Sequence, residues 1–179
     1  MIQLTRQQRA EPLRDAEFER LWALHRPRVW RLTARLSGSL DSADDLTQEV
    51  SMRAFQAFGG FRKQSSTFTW FYRIAVNVVL RDRERVRPTV DIESKGITVV
   101  AGSESDPEAL AIRAELCPAV REALDRLPAD YRTVMVLQVY EGLKYREIAD
   151  ILEVPIETVK YRRHHGMLRL REELKDYAM

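Results

Sequence analysis

The sequence predicts an all-α fold of two small helical domains joined by a flexible linker, and three observations carry that reading. Apolar residues recur at three- and four-residue steps through most of the chain, the spacing of amphipathic helices. Between residues 87 and 106 that periodicity stops, and Pro88, Gly96, Gly102, Ser103 and Ser105 punctuate a stretch richer in acids than in bases. The length of 179 residues suits two lobes of about 70 residues, each with only a modest core.

Residues 1–14, rich in Gln and Arg, are expected to form a flexible N-terminal tail, without the apolar segment of a signal peptide. The first domain is expected over 15–86. Phe18, Leu21, Trp22, Leu24, Val29, Leu32 and Leu36 form the stripe of a first helix, which Pro27 is expected to kink or divide and Gly38 to stop. Asp41 or Ser42 is placed to cap a second helix reaching about Phe58, where Gly59 and Gly60 break it. A polar loop over 61–66 leads into a third helix, from Thr67 to about Arg85, with Phe68, Phe71, Ile74, Ala75 and Val78 inward.

The run Ile97 to Val100 has no partner strand and reads as extended chain. The second domain is expected over 107–179. Its apolar stripe is Leu110, Leu116, Val120, Leu124 and Leu127, followed by Pro128 at the first turn of a helix that Gly142 ends. Two further helices, Tyr145 to Leu152 and Ile156 to about Leu174, are separated by Glu153, Val154 and Pro155 alone. A short helix, a three-residue turn and a longer basic helix make a helix-turn-helix.

Composition narrows the function classes. With 45% apolar and 31% charged residues the chain is a normal folding mixture. Its net charge is only +2, but the bases are concentrated: Arg81, Arg83, Arg85 and Arg87 cluster, and Lys160 to Arg171 holds five bases and no acid. Cys117 is the single cysteine, so no internal disulfide forms, and a cytoplasmic location fits. No apolar run approaches the ~18 residues of a membrane span, so no membrane insertion is expected. His25 is isolated and His164 and His165 are adjacent on a basic helix, with no carboxylate pair or metal-ligand spacing beside them. An enzyme is therefore not expected, nor catalytic residues, a metal or a cofactor.

The second helix of the helix-turn-helix gathers Lys160, Tyr161, His164 and His165 on one outward face. Such a helix fits the major groove, where Lys, Arg and Tyr reach bases and phosphates. Ile148, Ala149, Leu152, Val154 and Val159 face one another across the turn, and Gly166 is expected on the packed side. In the first domain Leu46, Val50, Ala54 and Ala57 are expected inward. The opposite stripe of Asp45, Gln48, Glu49, Met52 and Gln56 is acidic and polar around a central Met, and by itself reads as a solvated helix face.

On these residues the chain resembles the extracytoplasmic-function (ECF) group of the bacterial sigma-70 family of RNA polymerase sigma factors. The stretch from Ala123-Leu124-Asp125-Arg126-Leu127-Pro128 through the helix-turn-helix to Leu170 is similar to that family's region 4, which reads the minus-thirty-five element. Carried over by position, Thr158, Lys160, Tyr161, Arg162, His164 and His165 are implied DNA contacts. Glu153 and Glu157 stand where glycines are common, Arg163 where an aliphatic residue is usual, and His165 where an Arg is frequent. Asp44-Asp45-Leu46-Thr47-Gln48-Glu49-Val50 resembles the polymerase-docking helix of region 2, which makes Asp45, Gln48, Glu49, Met52 and Gln56 the implied surface for core RNA polymerase.

Phe68-Thr69-Trp70-Phe71-Tyr72-Arg73-Ile74-Ala75-Val76-Asn77 is similar to the promoter-opening helix, and the loop from Arg62 to Thr67 resembles the one that captures a flipped minus-ten base. Opening a duplex requires a positive surface and a place for an unstacked base. Arg62, Lys63, Arg73, Asn77 and Arg81 are the implied minus-ten contacts, with Trp70 and Phe71 read as core. Val76 stands where the family often has a base. The resemblance further implies promoter DNA as ligand, control by an anti-sigma factor, and a linker able to span some 60 Å when extended. The free protein is expected to be a monomer with mobile lobes. The alternative is a free-standing helix-turn-helix regulator, which would leave the first domain without a role.

Overall fold

The computed structural model describes residues 6–61, 65–86 and 118–175. Helices α1 (Arg6–Ser37), α2 (Asp41–Phe58) and α3 (Thr67–Val86) pack against one another as the first lobe. The second lobe begins with α4 (Pro118–Arg126) and α5 (Ala129–Met135), which runs on as a π-helical segment (Val136–Tyr140). Helices α6 (Tyr145–Leu152) and α7 (Ile156–Glu173) complete it. The described residues are helical with no strand, as the all-α reading requires. The linker read at 87–106, the Ile97 to Val100 run, Leu110, Leu116 and Cys117 lie outside the described residues.

The first lobe departs from expectation in four places. Helix α1 begins at Arg6, inside the stretch expected to be a flexible tail, because Arg, Gln and Ala there are good helix formers continuous with the stripe that follows. It also passes Pro27 undivided. Asp41 and Ser42 lie inside the first turn of α2 rather than capping it, and the Oγ of Ser39, just ahead of the helix, accepts the Ser42 N–H at 3.2 Å. Ala57 is exposed, and Phe58 takes the inward position instead. Gly38 closes α1 with φ +75°, and a Cβ there would fall 3.0 Å from the Asp125 carboxylate of the second lobe.

The core of this lobe is aromatic. Phe71 is fully buried, with ring centres 5.0 Å from Trp70, 5.3 Å from His25, 5.5 Å from Trp22 and 6.3 Å from Phe18. Trp70 is half-buried and packs on Phe61 at 4.8 Å. A polar tie joins α1 to α2, where the buried Thr33 and Thr47 hydroxyls share a hydrogen bond of 3.0 Å. On α3, Phe71, Ala75 and Val78 are buried as expected, while Phe68 and Ile74 are only half-buried. Tyr72, Val76 and Val79 are buried as well, on a second face that a single-stripe reading misses.

That second face exists because the two lobes touch. Helix α3 packs against α6 and α1 against the π-helical segment, and one buried cluster runs from Val76 and Val79 to Leu137, Ile148 and Ile151. Within the second lobe, α7 crosses α5 at Gly166, where a Cβ would lie 3.1 Å from Met135 Cγ and 3.5 Å from Tyr131 Cβ. Gly166→Leu is expected to destabilise this lobe by about 1–3 kcal/mol, because overpacking outweighs the helix propensity gained. Thermal unfolding followed by circular dichroism reads this, and an unchanged or raised midpoint would contradict the close crossing.

Candidate functional site

Helix α2 presents Asp45, Gln48, Met52 and Gln56 exposed and Glu49 half-buried on one stripe, opposite the buried Leu46, Val50 and Ala54. Met52 is 55% exposed, unusual for a large apolar side chain. Glu49 is partly neutralised by Arg53 one turn on, at 2.5 Å. Two features beside this stripe were not read from sequence: Phe55, exposed at its edge with Phe18 edge-on beneath it, and an open groove between α1 and α2 lined by Trp22, Arg26, Asp44, Thr47, Gln48 and Ser51.

The start of α3 is set by Ser66, whose Oγ accepts the Thr69 N–H at 3.0 Å, and by His25, whose Nε2 meets the Thr67 hydroxyl at 3.0 Å. Burial, helped by the Arg28 charge, pushes the His25 imidazole below its usual value, favouring the neutral ring. Along α3, Asn77 and Arg81 are exposed, four residues apart on one face. Arg73, on the same face one turn earlier, is engaged by the second lobe: Nη1 pairs with Glu153 at 2.8 Å and Nη2 donates to the Asp150 carbonyl at 2.6 Å. Arg62 and Lys63 lie outside the described residues.

In the second lobe the turn between α6 and α7 is made by Glu153 in the left-handed conformation, φ 54°, with Val154 N–H on the Ala149 carbonyl. Ile148 and Val159 are fully buried across that turn, and Ala149, Leu152 and Val154 pack against them half-buried. This sets the outward face of α7. Tyr161, Lys160 and His164 are exposed, with Tyr161 at 56% and Lys160 paired to Glu157 at 2.8 Å. His165 is half-buried between Tyr161 and Tyr131, and Thr158 is half-buried at the first turn. Arg162 points elsewhere: it is 22% exposed and holds Asp130 at 2.6 Å. Arg163, in the position where an aliphatic residue is usual, donates to Gln138 at 3.2 Å and pins α7 to the π-helical segment.

Sequence reasoning also missed a set of ion pairs between the lobes. Glu141, at the end of the wider π turn, accepts Arg35 Nη1 at 2.5 Å and the Tyr72 hydroxyl at 2.6 Å, with the Arg35 and Glu141 side chains only 6% and 4% exposed. Asp125 accepts Arg83 at 3.0 Å and the buried Arg132 at 2.9 Å. The basic cluster over Arg81 to Arg87 is thus divided in purpose, with Arg81 facing solvent and Arg83 facing the other lobe. Among the described residues there is no group of His, Cys, Asp and Glu that could hold a metal ion, and no helix is long and apolar enough to cross a membrane.

Comparison with known proteins matches residues 21–88 to the family model for sigma-70 region 2 and residues 118–170 to that for sigma-70 region 4. The chain is 30% identical to the ECF RNA polymerase sigma factor SigW of Bacillus subtilis, over 86% of each chain. It is 33% identical to the ECF RNA polymerase sigma-E factor of Escherichia coli K12, over 81% of this chain and 80% of that one. Among solved structures it is similar to the sigma factor RpoE of Bartonella quintana, crystallised with the anti-sigma factor NepR: the TM-score is 0.63 at 28% identity, covering 89% of this chain and 97% of that one. With region 2 on the lobe bearing the α2 stripe and region 4 on the lobe bearing the helix-turn-helix, this chain belongs to the ECF group of the sigma-70 family of RNA polymerase sigma factors.

Proposed function

We propose that this chain binds core RNA polymerase and directs it to promoters, with residues 15–86 as the docking and minus-ten domain, 87–106 as the linker and 107–179 as the minus-thirty-five domain. One observation carries the reading: each family region carries an exposed, chemically distinct stripe, acidic and Met-centred on α2, basic and aromatic on α7. Asp45, Gln48, Glu49, Met52 and Gln56 dock the polymerase. Arg62, Lys63, Arg73, Asn77 and Arg81 take up the minus-ten strand. Thr158, Lys160, Tyr161, His164 and His165 read the minus-thirty-five element, and Arg162 contributes only if it gives up Asp130.

The protein acts in the cytoplasm by binding rather than turnover. Control by an anti-sigma factor is supported by the Bartonella quintana relative, which was solved bound to one.

The test is multi-round transcription by core RNA polymerase on host genomic fragments. Specific start sites are expected only when this protein is added, and none appearing with folded protein and active core would overturn the reading. The docking assignment has its own check: Asp45→Ala with Glu49→Ala is expected to weaken core binding about ten-fold, roughly 1.4 kcal/mol, with helix content unchanged. Equal affinity of the double variant and the parent protein in a titration would remove that surface.

A further inference from the structure

We propose that Asp130 and Glu157 set how tightly the free chain holds DNA: each carboxylate occupies a cation at the head of α7 and so lowers the affinity of that helix for duplex of any sequence. The inference rests on the reading of α7 as the DNA-facing helix and goes beyond it, since neither acid belongs to the residues assigned to the minus-thirty-five element.

By sequence the run from Lys160 to Arg171 holds five bases and no acid. Folding distributes that charge differently. Lys160 donates to Glu157, one turn before it on α7, at 2.8 Å. Arg162 pairs at 2.6 Å with Asp130, which arrives from the first turn of α5. Arg163 gives its Nε–H to the neutral Gln138, and Arg169 lies over the Tyr131 ring, 5.3 Å from its centre. Lys160, Arg162, Glu157 and Asp130 together sum to zero. The first two turns of α7 therefore present two of their three cations already paired with an acid.

Both acids stand beside the face that meets DNA. Glu157 lies in line with Lys160, Tyr161 and His164 at helical steps of three, four and seven residues, all four exposed, and Asp130 is exposed as well. Ion pairs this open to water contribute little to stability, and the residues capping these two helices are Pro128 and Pro155, without a side-chain bond from either acid. An acid in a first turn favours the helix dipole wherever it points. These two in addition reach a base that the DNA would otherwise claim.

The consequence follows from how cations bind duplex. A bare Lys or Arg gains a phosphate contact outright and releases a counterion. For Lys160 and Arg162 the same contact is an exchange of one anion for another, and the displaced carboxylate is left within a Debye length, about 8 Å, of the phosphate that replaced it. The loss falls on all sequences, because phosphates carry no sequence information. Genomic DNA offers about 10⁶–10⁹ competing sites, on which a chain with bare cations would be sequestered. With both acids in place the free chain stays available to polymerase, and base contacts make up a larger share of the affinity that remains.

The experiment uses the full chain and a short duplex of random sequence, with no polymerase present. Asp130→Asn and Glu157→Gln each remove one charge and keep the side-chain shape. Each is expected to raise affinity about three-fold at low salt and to steepen the salt dependence by about one phosphate contact, and the double variant by about ten-fold and two contacts. The control is Glu172→Gln. Glu172 pairs with Lys175 at 2.6 Å, about 22 Å further along α7 than Glu157, so its loss changes the net charge equally but far from the face, and affinity is expected to stay within about two-fold. Should Asp130→Asn lower the helix content, Glu157→Gln carries the test alone.

Unchanged affinity in the folded variants, or an equal rise in Glu172→Gln, overturns the assignment. So does a loss of preference for one base of the minus-thirty-five duplex in Glu157→Gln, which would make that acid a base reader. A failure of the sigma-factor reading shows separately: the parent protein would then yield no specific transcripts with core polymerase, while the affinity difference on the polymerase-free duplex persists.

Discussion

Replacing Phe71 with alanine is expected to cost the first lobe about 3–5 kcal/mol, the range for removing a fully enclosed aromatic ring. Phe71 is the centre of the aromatic core, touching Phe18, Trp22, His25 and Trp70 at ring distances of 5.0 to 6.3 Å, and it is fully buried. Alanine removes both the transfer free energy of the ring and its oriented aromatic contacts, worth about 0.5–1.5 kcal/mol for each favourable pair. Small domains are stable by only about 5–15 kcal/mol, so such a loss leaves the lobe marginal. Urea unfolding followed by tryptophan fluorescence suits the measurement, because Trp22 and Trp70 both lie against Phe71. A loss below about 1 kcal/mol would mean that the ring is not the keystone its surroundings indicate.

The second large effect concerns promoter reading. Tyr161→Ala combined with His164→Ala is expected to lower affinity for the cognate minus-thirty-five duplex by about 10- to 100-fold, while affinity for unrelated DNA changes little. Base contacts carry about 1–3 kcal/mol of discrimination each, and both side chains project from the exposed face of α7. Lys160→Ala should behave differently: it removes a charge, so it should weaken binding to all sequences alike and reduce the salt slope by about one. Binding isotherms at several salt concentrations separate the two. Identical, sequence-independent losses in both variants would show that α7 grips the backbone without reading bases.

Arg162 should contribute least among the candidates carried over by resemblance. The position looks equivalent to its neighbours in sequence, but its guanidinium is held by Asp130 on α5 at 2.6 Å and is largely covered. Arg73 illustrates the same point on the first lobe, since spacing aligns it with Asn77 and Arg81 while contact with Glu153 sets it apart.

Local pattern by itself determined a great deal here. Apolar spacing places α2, α3, α6 and α7 within a residue or two of their observed bounds, because a helix buries whatever recurs every three to four residues and stops at Gly38, Gly59 or Gly142. The tight Glu153 turn and the outward face of Lys160, Tyr161 and His164 follow from the same local rules. What lay beyond them was decided by tertiary structure: the burial of Tyr72, Val76 and Val79, the pairing of Arg83 with Asp125, and the meeting of Arg35 with Glu141, 106 residues further along the chain. Periodicity states which face of a helix is apolar but not what covers it. A charged side chain reads as solvated until its partner arrives from a distant segment, so acid and base that meet only on folding leave no local trace.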